Sequence, residues 1–404
     1  MKVIPFSPPD ITLEEAKEVT AALLSGWITT GPRTKELEKV IANYCGVTNC
    51  VCLNSQTACA ELCLRLLGVG PGDEVILPAY TYTATCSVVC HVGATPVLID
   101  SQKDCIEMDY DKVADAITEK TKVIIPVDVG GVPCDYDRIF EIVNDKKKLF
   151  KPNNDIQKSF GRIIVLADTA HSLGASYKGK MTGNVADFSA FSFHAVKNMT
   201  TAEGGALLWK DIPGIDSGQL YHQLQLLSLH GQSKDALAKT KIGAWEYDIV
   251  GPWYKCNMTD VAAAIGLVQM DRYPDLLARR KFIVNEYNKG LEKLDVEYLD
   301  HLNPKKSSSC HLYIIRLNGY DEKKRNMFIG KMASKGVACN VHYKPLPAFT
   351  AYKNLGFDIK DFPNAYDFYH NEITLPLHTC LSDEDVRYII DAFEKTYLEL
   401  ENYK

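Results

Sequence analysis

Asp168 and Lys197 are the two side chains whose types and settings could most directly carry a reaction. Asp168 closes the run Arg162 to Ala167, so a carboxylate sits at the tip of an expected central strand. Removed from water, it needs a cationic or hydrogen-bonding partner, which a protonated heterocycle nitrogen would supply. A helix cap or structural acid is the commoner use of such a residue. Lys197 follows a later apolar stretch, in Ser192-Phe193-His194-Ala195-Val196-Lys197-Asn198, and precedes the small-residue run Thr200 to Gly205. Most lysines are solvated surface charges. One held against a sheet sheds its proton through desolvation and becomes a nucleophile toward an aldehyde. A third place is Asn54-Ser55-Gln56-Thr57-Ala58, where a strand passes into a helix. Free backbone N–H groups and the positive end of the helix dipole favour an anion such as phosphate there. By itself such a turn is more often structural.

Open parallel sheets bind ligands at the carboxyl ends of their strands, and the surrounding text reads as such a sheet. Continuously apolar runs alternate with helical stretches: Cys50 to Leu53 then Ala58 to Leu67, Glu74 to Leu77 then Thr83 to Val92, Pro96 to Ile99 then Tyr110 to Ile117, Val123 to Val127 then Tyr136 to Val143. Continuous rather than alternating apolarity marks strands buried on both faces. Ile163 to Ala167, Phe188 to Phe193 and Gly204 to Trp209 complete a mostly parallel sheet of about seven strands covered by helices. Ahead of it, Thr12 and Glu15 form a capping-box pattern for a helix to Leu24, and a second helix is expected from Thr34 to Tyr44. Asn144 to Phe160 is polar and lysine-rich and reads as a solvated surface insertion. After Asp260 come a long helix through Val261 to Lys289, a smaller set of elements including His311 to Leu317, and a closing helix from Asp383 to Leu400. A boundary near Asp271 would leave a large domain, 1–270, and a small α/β domain, 271–404.

Composition narrows the partners. With 46% hydrophobic and 24% charged residues among 404, the chain is globular rather than disordered. A formal net charge of −6 offers no overall attraction to nucleic acid or an anionic membrane, so any phosphate must be held locally. Thirteen cysteines without a C-x-x-C pair, with no apolar run of spanning length and no leader pattern, point to reduced thiols and a cytoplasmic protein. No metal site is expected.

Phosphate turn, strand-end carboxylate and later lysine, in that order, are the three contacts that pyridoxal phosphate needs: an anion cradle, a partner for the pyridinium nitrogen and an amine. The block Phe191-Ser192-Phe193-His194-Ala195-Val196-Lys197-Asn198-Met199-Thr200-Thr201-Ala202-Glu203-Gly204-Gly205 closely resembles the signature of the DegT/DnrJ/EryC1/StrS sugar aminotransferases. Gly70 to Val75, Pro78 to Thr85, Asp168 to Ala175, Met258-Thr259-Asp260 and Val341-His342-Tyr343 agree with the same family. The resemblance implies a fold-type I pyridoxal-phosphate enzyme that moves an amino group, with glutamate as donor, onto a nucleotide-linked keto-deoxysugar.

By that resemblance Lys197 condenses with the cofactor, Asp168 pairs with its ring nitrogen, Tyr82 stacks on the ring and His171 lies beside the ring hydroxyl. Gln56, Thr57 and Ser192 would hold the phosphate, with Asn257 arriving from the second subunit of a homodimer. The aromatic stretch Trp245 to Asn257 would cross that interface. Two positions depart from the family pattern. Gln56-Thr57 stands where many relatives have Gly-Thr, and Lys255-Cys256-Asn257 stands where many have Asn-x-Arg, which leaves Lys255 as an alternative or companion to Asn257 in that role. A related sugar dehydratase would carry His in place of Lys197, and a silent regulatory member would be expected to show a basic stripe that is absent here.

Overall fold

The computed structural model describes residues 2–233 and 246–401. Among them the strands are β1 (Asn49–Leu53), β2 (Glu74–Pro78), β3 (Thr95–Ile99), β4 (Thr121–Ile124), β5 (Ile164–Asp168), β6 (Ser176–Tyr177), β7 (Lys180–Met181), β8 (Phe188–Ser192), β9 (Gly205–Trp209), β10 (Val296–Tyr298), β11 (Lys306–Ser307), β12 (Tyr313–Leu317) and β13 (Glu372–Leu375). The helices are α1 (Leu13–Leu24), α2 (Pro32–Cys45), α3 (Gln56–Leu66), α4 (Thr83–His91), α5 (Tyr110–Ala116), α6 (Tyr136–Asp145), α7 (Asp155–Phe160), α8 (Ser217–Ser228), α9 (Asp260–Leu291), α10 (Glu322–Ser334), α11 (Thr350–Lys353), α12 (Pro363–His370) and α13 (Asp383–Glu401).

Seven strands form one sheet in the order β1-β9-β8-β5-β4-β2-β3. Only β9 runs antiparallel to its neighbours; β8, β5, β4, β2 and β3 are mutually parallel. This is the expected fold-type I α/β sheet, and its apolar strands are buried on both faces because helices cover both sides. The consequence for function is positional. Leu53, Pro78, Asp168 and Ser192 end strands along the same edge of the sheet, and the antiparallel β9 starts there at Gly205. β5 lies in the middle of the order, so Asp168 is at the centre of that edge.

Helix starts follow the sequence closely. Thr12 and Glu15 form the full capping box at α1, and Ser55 caps α3 by accepting from the Ala58 N–H at 3.1 Å. The stretch Asn144 to Phe160 differs from expectation. Lys147 and Lys148 are exposed, but the second half forms α7, capped by Asn154. Gln157 is fully buried and donates to the Leu67 carbonyl at 2.8 Å, while Asn153 Nδ2 donates to both Asp73 carboxylate oxygens at 2.9 and 3.0 Å. Polar side chains dock this segment by satisfying buried backbone and carboxylate groups, which a composition reading cannot distinguish from solvation.

A second, three-stranded antiparallel sheet, β10-β12-β13, packs its apolar face with α10, α13 and the later part of α9, where Ile283, Val284, Tyr287 and Leu291 join one core. The long helix α9 runs unbroken past Asp271 with Pro274 inside it. Near the N-terminus, Ile4 bridges in parallel to Val337, and the Gly336 position is so close to Lys2 that an added Cβ would lie 1.9 Å from its carbonyl oxygen.

Candidate active site

Asp168 is buried at the end of β5, and its carboxylate is held on both oxygens. Thr85 Oγ1, in the first turn of α4, donates to Oδ2 at 2.8 Å, and the Ala170 N–H donates to Oδ1 at 3.2 Å. The Gln56 side chain, at the start of α3, reaches the same carboxylate. Burial pushes the Asp168 pKa above the ordinary carboxylate value, against the opposing pull of these donors and of the Lys197 charge. A carboxylate in this state gains most from a cation placed against it.

Lys197 sits in the loop between β8 and β9. That loop is pinned to the Phe193 carbonyl, which accepts from Thr200 Oγ1 at 3.1 Å and from the Thr201 N–H at 2.9 Å. The lysine borders a cavity along part of its length, yet protein packs densely around it. This desolvation lowers its pKa from 10.5 to about 8, with Asp168 pulling the other way. Amine and carboxylate thus face one cavity of about 350 Å³.

The remaining wall assembles from four places. Ser55, Gln56 and Thr57 open α3, and Ser192 ends β8. Gly205 has to be glycine: an added Cβ would lie 2.5 Å from the Gln56 nitrogen and 2.5 Å from the Ser55 carbonyl carbon. Strand β9 can approach the α3 turn only without a side chain there. Tyr82, at the N-cap of α4, is 59% exposed and stands with its ring 5.9 Å from that of Tyr343. His171 follows β5. Its Nδ1 accepts from the Gly130 N–H at 3.2 Å, and burial together with the Lys197 charge drives its pKa well below 6.5, so the ring is neutral with its hydrogen on Nε2. That Nε2 lies 3.2 Å from the Tyr343 hydroxyl. Behind it His311 packs at a ring separation of 4.4 Å and is held by Asn198 at 2.9 Å.

Gln56, Thr57, Tyr82, Asp168, His171, Ser192 and Lys197 therefore all line a single cavity. Asn257 and Lys255 do not border it. Asn257 bridges to Leu53 and donates to Thr30 Oγ1 at 2.6 Å, and Lys255 pairs with the Asn257 side-chain oxygen. Trp245 lies outside the described residues; Tyr247, Trp253 and Tyr254 are exposed. Sequence reasoning missed Thr85, Gly205, His311 and the Asn198 contact. Thr85 left no signal in the sequence: Thr81, whose hydroxyl lies 2.9 Å from it, precedes the α4 N-cap Tyr82, so the two share no helical face, and the contact with Asp168 exists only in the fold.

The site fits pyridoxal phosphate on structural grounds. Ser55, Thr57 and Ser192 with the α3 N-terminus would take the phosphate, Asp168 the ring nitrogen, His171 Nε2–H the ring oxygen and Lys197 the aldehyde carbon. Among the described residues no group of His, Cys, Asp and Glu is arranged to hold a metal ion, and no helix is long and apolar enough to cross a membrane.

Comparison with known proteins identifies the family. The sequence model of the DegT/DnrJ/EryC1/StrS aminotransferase family matches residues 9–394. SpsC of Bacillus subtilis, a spore coat polysaccharide biosynthesis protein, is 35% identical over 396 residues, 96% of each chain. The pyridoxamine phosphate form of Spr1654 from Streptococcus pneumoniae, described as a candidate sugar aminotransferase, has a TM-score of 0.96 at 58% identity, covering 98% of this chain and 100% of that one. Its pyridoxal phosphate form gives 0.95 at 56% identity, covering 99% and 100%. PseC of Helicobacter pylori, an aminotransferase involved in pseudoaminic acid biosynthesis, gives 0.86 at 28% identity, covering 98% and 100%.

Proposed function

The chain belongs to the DegT/DnrJ/EryC1/StrS aminotransferase family, and on that footing we propose that this pyridoxal-phosphate-dependent sugar aminotransferase moves an amino group from glutamate to a nucleotide-linked keto-deoxysugar, in the making of a surface polysaccharide or other amino sugar. The observation that carries the acceptor is the shape of the space beside Lys197. The cavity shares Thr81, Tyr82, His342 and Tyr343 with a second hollow of about 810 Å³, lined further by Asn326, Asn340, Lys344, Phe349 and Tyr352. A 2-oxo acid would leave that space unused. A sugar with a charged, aromatic-bearing appendage would meet Lys344, whose ammonium lies 5.2 Å from the Phe349 ring centre, and the flat faces of the aromatics.

The cofactor, when bound, supplies the aldehyde that takes up the amino group and a ring that withdraws electrons from the carbon losing its proton. The chain does the rest. Lys197 Nζ, half free of its proton near pH 8, is the base placed to take and return the donor's α-proton. Asp168 holds positive charge on the ring side, with Thr85 and Ala170 fixing its orientation. His171 Nε2–H and Tyr343 form the polar wall opposite. With labelled glutamate and a panel of nucleotide keto sugars, we expect the label in an amino sugar nucleotide. Faster restoration of the aldehyde form by simple 2-oxo acids than by any nucleotide sugar would replace this reading with an amino-acid aminotransferase.

We further propose a cytoplasmic homodimer in which Asn257, or Lys255 beside it, serves the partner's phosphate site. Both lie outside their own cavity, and exposed Tyr247, Trp253 and Tyr254 precede them. A twofold arrangement would complete two sites at once. Mixing Lys197→Ala with Asn257→Asp dimers under exchange conditions should restore activity, because one site in each mixed dimer then holds both native residues. No restoration with exchange confirmed would place Asn257 in its own chain's service. The division into 1–270 and 271–404 stays part of the same proposal.

A further inference from the structure

His342 borders both hollows, and its ring is tied to two buried polar side chains that the chemistry above does not use. Nδ1 lies 2.9 Å from Thr374 Oγ1, Thr374 Oγ1 lies 2.6 Å from Glu372 Oε1, and Glu372 Oε2 accepts the backbone N–H of His342 itself at 2.9 Å. Thr374 and Glu372 are fully buried on β13. Phe6 stacks on the imidazole at 5.5 Å, Tyr343 meets it edge-on at 4.9 Å, and the Tyr80 hydroxyl donates to the His342 carbonyl at 2.8 Å. The ring is therefore fixed, Nδ1 is engaged, and Nε2 is the nitrogen left for a ligand.

We propose that Thr374 and Glu372 form a positioning relay that decides whether His342 offers the acceptor sugar a hydrogen-bond donor or an acceptor at Nε2. The argument is one of counting hydrogens. Burial and the Lys197 charge lower the His342 pKa to about 3, so the ring carries a single hydrogen. Thr374 has one hydroxyl hydrogen and can give it to only one neighbour. With the carboxyl neutral, Glu372 donates to Thr374, Thr374 donates to Nδ1, and Nε2 keeps its hydrogen. With the carboxylate ionised, Thr374 donates to Oε1, Nδ1–H donates to Thr374, and Nε2 is bare. A keto oxygen only accepts, so the neutral carboxyl arrangement favours the acceptor substrate. The relay rests on the sugar reading above only for the identity of that ligand.

Several groups set where the change falls. Arg325 on α10 donates to the Glu372 carbonyl at 2.8 Å, and its charge favours the carboxylate. Tyr80 beyond β2, Cys339 in the loop before His342 and Tyr343 directly after it also face Glu372. Arg316, opposite Glu372 in the β12 register, is occupied by Asp367 and Glu297. Lys197, His171 and His311 face the imidazole. Burial dominates and pushes Glu372 up to about 8.

Ring nitrogen shifts of His342 in 15N-histidine-labelled holoenzyme, assigned against His342→Gln, test this in the protein itself. We expect the hydrogen on Nε2 below pH 8, passing to Nδ1 as the pH rises through about 8. Glu372→Gln, whose amide oxygen stays on the His342 N–H and so turns its NH2 toward Thr374, should hold it on Nε2 throughout. Thr374→Val should abolish the pH response and Thr374→Ser restore it, with KM for the sugar raised about tenfold in Thr374→Val and the glutamate half-reaction within about twofold. A tautomer that does not change with pH in the unsubstituted enzyme, an unaltered response in Thr374→Val, or equal loss in both half-reactions would overturn the relay. A normal tautomer change in an enzyme that turns over no nucleotide keto sugar would uphold the relay and remove the proposed acceptor.

Discussion

Lys197→Ala is expected to lower amino transfer by at least about a thousandfold, because one substitution removes both the amine that captures the cofactor and the base that moves the donor's proton. The cofactor should remain bound without a covalent link, since Asp168, His171, Ser192 and the α3 turn are untouched by it. Single-turnover rates with glutamate read the first effect, and retention of the cofactor through gel filtration reads the second. The lowered pKa of Lys197 adds a signed expectation. An exposed lysine at pH 8 is under about 1% neutral, whereas one with a pKa of about 8 is half neutral there. Cofactor capture by stripped protein should thus rise steeply as the pH passes through about 8 and level off above it. A rise only near pH 10 would mean that the desolvation argument fails.

Asp168→Asn should cost about 10²- to 10³-fold in kcat, roughly 3 to 4 kcal/mol, the scale on which a preorganised charge acts in a site closed to water. The substitution keeps one oxygen to accept the Ala170 N–H and sets an NH2 against Thr85 Oγ1, whose hydroxyl can turn to accept, so what it chiefly removes is the negative charge facing the ring nitrogen. Burial already disfavours that charge in the protein alone. The thermal unfolding temperature of cofactor-free Asp168→Asn should therefore match or exceed that of the parent while turnover falls. Normal kcat in the variant would mean that another acid serves the ring, and a large loss of stability would mean that Asp168 is chiefly structural.

The sheet was legible because its signal is local. Runs such as Ile163 to Ala167 are apolar at every position, as strands covered on both faces must be, and polar residues at their ends mark the edge where a ligand sits. Lys197 and Asp168 could be paired only through the motif around them; periodicity says nothing about which loops meet. Tertiary contacts account for what the sequence hid. Thr85 reaches Asp168 across 83 residues, and His311 joins Asn198 across 113. The Gly205 requirement comes from the backbone of Ser55 and Gln56, which is close only after folding. Gln56 illustrates a role that a motif comparison cannot assign: expected at the phosphate, its backbone does open α3, while its amide turns to Asp168. Conversely the docked half of Asn144 to Phe160 shows polar composition misleading where Gln157 and Asn153 satisfy buried partners.

The measurement that bears most directly on the site is chemical capture of the cofactor. Borohydride reduction of the yellow holoenzyme, followed by proteolysis and mass spectrometry, should place the reduced cofactor on the peptide carrying Lys197 and on no other, and the label should vanish in Lys197→Ala. Labelling of a different lysine, or undiminished labelling in that variant, would contradict the account at its centre.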